Sequence, residues 1–285
     1  MTEAAPALAH APEAPAWRAA NPAKAAVERW YLLFTPVWSA VMGLLMVTGA
    51  AQAWTDLPLM ALGVALAAGA VLPPILWRAD RSVPWWRSTA ARCGLAVTLF
   101  AHGLNYTQTP FFFDVLHMHY GFQATWVIDR NPYFLYLVST AYFATYFALC
   151  TATWRLLRAQ RSAALRAGAW VIAPLAMALL ETVLNANPFM ASLFCYDDLP
   201  FMLWFGTLAY GMAFVFVLPA WVALDEDPAR PAATWQPVVW TLAALYADLV
   251  ALDLLQAHVA PWFTTVVPDA PGLRDFGTGC LVPPT

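Results

Sequence analysis

The chain has 285 residues, of which 61% are hydrophobic and 11% are charged, and its formal net charge is −3. Soluble domains carry about 25% charged residues, so this composition excludes a water-soluble globular protein and indicates a polytopic membrane protein. No stretch has the clustered basic residues of a nucleic-acid-binding protein, so we expect no nucleic-acid partner.

An Ala- and Pro-rich segment precedes a series of apolar windows. Residues 1–27 contain no apolar core and are predicted to form a disordered tail. We expect an all-α transmembrane helical bundle over 28–260 and a C-terminal non-cytoplasmic segment over 261–285. Windows of about 20 residues predict seven transmembrane helices. They span residues 31–54, 57–77, 90–113, 132–154, 168–189, 200–223 and 235–259.

The arginines lie mainly on one side of this seven-helix arrangement. Arginines follow the second and fourth spans, at positions 78, 81, 87, 92, 155, 158, 161 and 166. The opposite side has only Arg130 and Arg274. The positive-inside rule therefore predicts a cytoplasmic N-terminus and a C-terminus on the opposite face.

Polar side chains recur along one stripe of the third span. His102, Asn105 and Thr109 follow one another at spacings of three and four residues, and Tyr106 lies four residues after His102. Interhelical hydrogen bonds, worth roughly 0.6–2 kcal/mol each, would explain any one of these residues. Together the polar residues favour a lined cavity.

The fifth span contains a carboxyl group, Glu181, with Asn185 on the same face and Asn187 just beyond. A carboxyl group within the bilayer costs on the order of 3 kcal/mol or more and usually marks a functional site. Burial favours its protonated form, which a general acid requires. The alternative, weighed equally, is a structural carboxylate that pairs across helices with His102.

Two carboxyl groups lie in the seventh span. Asp248 and Asp253 are five residues apart, about 140° around a helix, so they cannot both face one site. Asp253 lies nearer the depth of Glu181 and is the preferred candidate. Asp248 is expected to pair with another helix.

The sequence has no metal or cofactor motif. Its four cysteines form no CxxC pair and no Cys/His cluster. Free thiols are expected, with a disulfide between Cys195 and Cys280 as the alternative. His117 and His119 diverge on a helix, and no third ligand is evident. We therefore expect no metal site and no cofactor.

Several short motifs follow one another along the chain: ERWYLLFTPVW (28–38), RADRS (78–82), NYTQTPFFF (105–113), LETVLNANP (180–188), LDL (252–254) and CL (280–281). In order and spacing they resemble the cycloeucalenol cycloisomerase family of plant sterol synthesis. The resemblance extends from Glu28 to Leu281. It implies an isomerase that opens the 9β,19-cyclopropane ring of a 4α-methyl sterol to a Δ8 sterol by protonation and deprotonation, without a cofactor. Abundant Ala and Arg, with Lys24 as the single lysine, suggest a GC-rich, bacterial source.

The resemblance also implies roles for individual residues. Glu181 would be the principal acid/base group, Asp253 its partner or counter-charge, and Tyr106 a further catalytic group. Asn105, Asn187 and Tyr210 would bind the substrate. Thr109 and His102, from the polar stripe of the third span, are further candidates for substrate binding, and His102 does not correspond to a residue expected in the plant enzymes.

Two other functions are kept as alternatives. One is a sterol double-bond isomerase; the other is a non-catalytic lipid transporter or sterol-binding membrane protein. A transporter should show a polar pathway that reaches both membrane faces, whereas here the polar residues concentrate at one level. The expected partners are a sterol or triterpenoid and the lipid bilayer. The expected location is the cytoplasmic membrane in a bacterium, or the endoplasmic reticulum in a eukaryote.

Overall fold

The computed structural model describes residues 15–78, 81–187 and 189–263. These residues form seven long helices with short helices and strands between them. In chain order the helices are α1 (Pro22–Val47), α2 (Ala50–Ala53), α3 (Asp56–Leu76), α4 (Thr89–Thr107), α5 (Thr109–Asp114), α6 (Tyr133–Arg158), α7 (Ala163–Asn185), α8 (Leu199–Phe201), α9 (Thr207–Ala223), α10 (Gln236–His258) and α11 (Ala260–Phe263). A 3₁₀ turn covers Trp85–Arg87, and a π-helical turn, Met202–Gly206, joins α8 to α9.

Six helical segments of the described chain are long and apolar enough to cross a membrane. They are Pro22–Val47, Asp56–Leu76, Tyr133–Arg158, Ala163–Asn185, Leu199–Ala223 and Gln236–His258. The other long helix, α4, has 19 residues and contains the polar stripe of the third span. The prediction of an all-α polytopic bundle is confirmed. Each of the seven predicted windows falls on one long helix, and α4 is the window outside the set of six.

The first helix begins earlier than predicted. The Asn21 side chain accepts a hydrogen bond from the backbone N–H of Ala23 at 2.9 Å, and Pro22 occupies the first helical turn. Both features favour a helix start at this point. The helix therefore begins inside the segment 1–27 that the composition assigned to a disordered tail, and Lys24 is buried within the fold.

Helix α6 lies at the centre of the bundle. It packs against α1, α3, α4 and α7, and 83% of its most apolar window is buried, compared with 22% for α1. Gly63 permits the close approach of α3, because a Cβ atom there would lie 3.0 Å from the Phe134 carbonyl oxygen. Helix α10 completes the bundle by packing on α4 and α9.

Two small antiparallel pairs of strands cover one end of the bundle. Strand β1 (Met118–Tyr120) pairs with β4 (Phe194–Tyr196), and β2 (Val127–Ile128) pairs with β3 (Asn131–Pro132). The first pair joins the connection after α5 to the connection after α7. Residues that are more than 70 positions apart are thereby placed side by side.

A buried ionic cluster lies toward the opposite end. Arg155 binds both Glu28 and Glu226, at 2.7 and 2.6 Å, and Lys24 lies 2.8 Å from Glu226. Arg92 binds Asp225 at 2.6 Å. We call these six residues the ionic cluster. It joins α1, α4, α6 and the connection between α9 and α10, and its three positive and three negative groups balance.

The cysteines differ in state. Cys93 and Cys150 are buried free thiols, as expected. Cys195, in β4, is disulfide-bonded, so the expectation of a free thiol is wrong at that position. Cys280 lies outside the described residues, as does most of the predicted C-terminal segment 261–285.

Candidate active site

A cavity of about 320 Å³ lies in the half of the bundle away from the ionic cluster. Its walls come from α1, α4, α6, α7 and the start of α9, and the strands β1 and β4 contribute to it. This volume falls within the range of pockets that bind small molecules. Most of the lining is apolar and includes Met42, Met46, Leu104, Phe112, Leu135 and Val138. The cavity therefore suits an apolar ligand.

Glu181 supplies the one carboxyl group among the described residues that line this cavity; no Asp, Lys, Arg or His accompanies it there. The Tyr146 hydroxyl donates a hydrogen bond to Glu181 Oε2. The side chains of Asn185 and Tyr210 also lie against the carboxyl group. An acid thus lies in an apolar chamber with neutral hydrogen-bonding groups and without a compensating cation.

Glu181 lies about one turn before the end of α7. The helix ends at Asn185, four residues later, and Asn187 binds its last turn by donating to the carbonyls of Val183 and Leu184 at 3.1 and 2.8 Å. Such side-chain bonds satisfy carbonyl groups that a helix end leaves free. Asn187 therefore caps the helix and does not line the cavity.

Five tyrosines line the same cavity as the carboxyl group. Tyr142 and Tyr146 lie one turn apart on α6, Tyr210 lies on α9, and Tyr120 and Tyr196 come from β1 and β4. Burial raises the pKa of Tyr120 and of Tyr196 well above the ordinary value, so both hydroxyls stay protonated at neutral pH. The site is therefore lined by neutral phenols, whose aromatic faces can stabilise positive charge.

The strand tyrosines could not be found from the sequence. Tyr142 and Tyr146 are aromatic residues of the fourth apolar window, and residues of this kind can line a cavity between helices. Tyr120 and Tyr196 lie in short connections, and only the pairing of β1 with β4 brings them to the cavity. No periodicity in the sequence signals that pairing.

A second polar group lies where α4 meets α6. Asn105 donates to the Ser139 hydroxyl at 2.7 Å, and Asn131 donates to Asn105 Oδ1 at 2.9 Å and to the Thr109 hydroxyl at 3.3 Å. Asn131 is fully buried and lies in β3, which directly precedes α6. Asn105 and Thr109 line the cavity, as does Gln108 between them in the sequence. The sequence predicted Asn105 and Thr109 but not Asn131.

The structure places four of the eight predicted site residues in the cavity wall: Glu181, Asn105, Thr109 and Tyr210. Tyr106 faces outward and is 59% exposed. It follows Asn105 directly, so the two side chains are about 100° apart around the helix. The structure therefore does not bring Tyr106 into the cavity wall beside Asn105.

His102 also lies outside the cavity wall. Its Nδ1 atom lies 2.9 Å from the Thr98 carbonyl oxygen, within its own helix, and its ring lies beside that of Tyr136. The hydrogen bonds found for Glu181 come from other residues. The structure thus does not show the cross-helix pair between Glu181 and His102.

The two aspartates of α10 differ in burial. Asp253 is exposed, whereas Asp248 is fully buried, and neither Asp248 oxygen has a hydrogen-bond partner among the described residues. Asp248 lies between Leu245 and Leu252 on the buried face of α10, and Asp253 is about 100° from Leu252. Depth alone suggested Asp253, but the rotation of the helix decides which side chain is buried. Neither aspartate lines the cavity.

The two histidines after α5 lie in the connection that contains β1. His119 pairs with Asp197 at 3.1 Å on the surface. Within the described ranges, no group of three or more His, Cys, Asp or Glu side chains could hold a metal ion.

Comparison with known proteins gives one relative. The sequence is 27% identical to the cycloeucalenol cycloisomerase of Arabidopsis thaliana over 256 residues, which cover 86% of this chain and 90% of that enzyme. No protein-family model matches the chain. No solved structure matches it either. The similarity therefore extends through all the elements that form the cavity.

Proposed function

We propose that this chain, a multi-pass membrane isomerase of the cycloeucalenol cycloisomerase family, opens the 9β,19-cyclopropane ring of a 4α-methyl sterol to give a Δ8 sterol. The observation that carries the proposal is the similarity to the plant enzyme over 86% of the chain. The cavity supports it, because an apolar chamber with a single carboxyl group suits proton transfer to a hydrocarbon.

The proposed reaction is redox-neutral. A proton adds to C19, and the electron pair of the C9–C19 bond forms the new C–H bond. The ring opens, and a cation remains at C9. Loss of the proton from C8 then forms the double bond, so one proton is added and one is removed. No oxidant, reductant or activated co-substrate is needed for this balance.

Glu181 is the proposed proton donor. A ring carbon is a poor proton acceptor, so the acid must be held close to it and shielded from water. The hydrogen bond from Tyr146 fixes one carboxyl oxygen, and the apolar walls limit water. The neutral acid that this surrounding favours is the form that can donate.

Glu181 is also the proposed base. After donation it is a carboxylate, and no second carboxyl group lines the cavity among the described residues. It would therefore take the C8 proton and return to its starting state. The rings of Tyr142, Tyr146 and Tyr210 would stabilise the intermediate cation through their π faces.

Substrate positioning is proposed for the second polar group. Asn105 and Thr109 line the cavity near α4 and would orient the sterol hydroxyl, and Tyr210 would contact the ring system. Tyr106, His102, Asn187 and Asp253 have no contact with the cavity, so we assign them no role in binding or catalysis. With a cytoplasmic N-terminus, the site would lie in the outer leaflet of a bacterial cytoplasmic membrane.

Expression in a yeast strain that lacks this activity tests the proposal. Cells supplied with cycloeucalenol should accumulate the Δ8 product, detected by gas chromatography–mass spectrometry. Folded protein and unconverted substrate without product would contradict the proposed reaction. Co-purification of unchanged sterol would then favour a sterol-binding protein, and a shifted double bond in a sterol without the cyclopropane ring would favour a double-bond isomerase.

A further inference from the structure

The cavity extends between two helices that hardly touch one another. Helix α1 packs on α3, α4 and α6, whereas α7 packs on α6 and α9. Both helices nevertheless line the cavity. The lining residues are Ser39, Met42, Gly43 and Met46 from α1, and Glu181, Thr182, Leu184 and Asn185 from α7. The gap between α1 and α7 is therefore continuous with the site.

Two residues mark where this gap reaches the surface. Leu184 lines the cavity although its surface is 53% exposed. On the other side, a Cβ atom at Gly43 would have no heavy atom within 4 Å. Leu184 thus belongs both to the cavity wall and to the outer surface, and Gly43, in the α1 part of the wall, has open space at its Cβ position. The cavity is open sideways at this level.

Contacts on either side of Gly43 along the chain hold α1 and α2 to neighbouring elements. Toward the strand end, Gln52 donates to the Ser192 hydroxyl at 2.9 Å, which ties α2 to the connection after α7. Toward the ionic cluster, Thr35 and Trp38 of α1 bind the Thr145 hydroxyl of α6 at 2.8 and 3.0 Å. The opening therefore lies within the length of the membrane-spanning helices.

The surface beside the opening is apolar. Leu44 and Val47 on α1 are 64% and 88% exposed, and Leu180 and Val183 on α7 are 39% and 52% exposed. Both helices are long and apolar enough to span a membrane. A surface of this kind faces lipid, so the opening leads to the hydrocarbon region of the bilayer.

We propose that the substrate reaches Glu181 sideways from the bilayer, through a portal between α1 and α7 with Gly43 and Leu184 at its rim. The ligand class that fits is a flat, apolar polycyclic alcohol dissolved in the membrane. Its identity as a cyclopropyl sterol rests on the proposed function, but the portal does not. Gly43 keeps the portal wide, since any side chain at this position projects into open space.

A matched pair of variants tests the portal through activity. Gly43→Phe places a ring in the opening, whereas Leu44→Phe places one on the exposed neighbouring position, which does not line the cavity. In proteoliposomes that contain cycloeucalenol, we expect Gly43→Phe to lower kcat/KM by at least about tenfold and Leu44→Phe to change it by less than about twofold. Equal rates for the wild type and Gly43→Phe would overturn the portal.

A second measurement does not depend on turnover. Gly43→Cys in proteoliposomes is treated with a lipid-soluble alkyl maleimide or with a charged, membrane-impermeant maleimide, and wild-type labelling is subtracted. Faster labelling by the lipid-soluble reagent supports the portal, and faster labelling by the charged reagent overturns it. If the wild type does not convert cycloeucalenol, this result still decides the portal, so failure of the proposed reaction is distinguishable from failure of the proposed route.

Discussion

The two buried polar regions of this protein differ in how their charges are balanced. In the ionic cluster every carboxylate lies within about 3 Å of a cation: Arg92 meets Asp225, and Arg155 meets both Glu28 and Glu226. In the cavity, Glu181 has only neutral partners, chiefly Tyr146. One region neutralises its charges by pairing, and the other leaves a single acid without a counter-charge.

The difference separates a structural from a catalytic use of buried carboxyl groups. Ion pairs that satisfy one another are held in their charged form and join the elements that supply them. A carboxyl group among apolar and phenolic side chains keeps its proton and can give it to a substrate. Charge balance therefore indicates a structural role for the ionic cluster and supports the role proposed for Glu181.

Glu181→Gln should give the largest effect. The amide keeps the size of the side chain but has no acidic proton, so we expect turnover of cycloeucalenol to fall by about 10²–10⁴-fold. The variant should remain extractable and elute from size-exclusion chromatography like the wild type. Turnover within about twofold of the wild type would remove Glu181 from the proposed mechanism.

Arg155→Ala should instead act on stability. It leaves Glu28 buried without its cation, and loss of one partner of such a pair costs about 3–5 kcal/mol. The melting temperature in detergent should fall markedly, while the remaining folded protein should turn over substrate at the wild-type rate per molecule. Arg158→Ala is the control, because Arg158 is exposed and lies about one turn further along α6, at its last residue. Equal melting temperatures for the two variants would refute a structural role of the ionic cluster.

Tyr146→Phe should reduce turnover less than Glu181→Gln does. It removes the hydroxyl that binds Glu181 Oε2 but keeps the ring. The loss of one hydrogen bond is worth about 1 kcal/mol, so we expect a roughly five- to tenfold lower kcat with little change in melting temperature. Tyr136→Phe is the control, because the Tyr136 hydroxyl binds the Ile128 carbonyl and does not reach the cavity. A similar loss in both variants would contradict the specific role of Tyr146.

The smallest expected effect is the pH dependence of Glu226. Burial alone would raise its pKa, but hydrogen bonds from Arg155 and the charge of Lys24 hold it below its ordinary value of 4.5. A lowered pKa in the folded state stabilises the protein above pH 4.5, and this contribution is lost as the pH falls through the folded-state value.

The measurement for Glu226 is the melting temperature in detergent between neutral and acidic pH. The wild type should lose stability below about pH 4.5, and Glu226→Gln should show a smaller decrease over the same interval. Asp227→Asn, next to it on the exposed surface, should follow the wild type. Parallel curves for the wild type and Glu226→Gln would show that pairing at Glu226 does not contribute to acid stability.

Several features of the site were predictable because they depend on local composition. A carboxyl group inside an apolar window signals a protein-facing position, since lipid does not tolerate it, and Glu181 lies in the cavity wall. The polar stripe of the third predicted span likewise indicated that Asn105 and Thr109 face the protein interior. The spans themselves followed from hydropathy, which is a sum over neighbouring residues.

For several predicted site residues, the sequence left the rotation about the helix axis undetermined. Asp253 and Tyr106 have the right depth, but they face away from the cavity, whereas Asp248 is buried. In the sequence, Lys24 and Glu28 are charged residues that precede the first predicted span. In the structure, both belong to the ionic cluster. Depth follows from counting residues along a helix, but orientation depends on which neighbours the helix packs against.

The sequence by itself determined that this is a helical membrane protein with an acid at position 181 and polar residues at the level of that acid. Only the tertiary structure decided that five tyrosines line the same cavity as the acid and that α1 and α7 both contribute to its wall. The reason is physical. Hydropathy and helical period are properties of a continuous segment, whereas a cavity forms from side chains that pairing and packing bring together from distant segments.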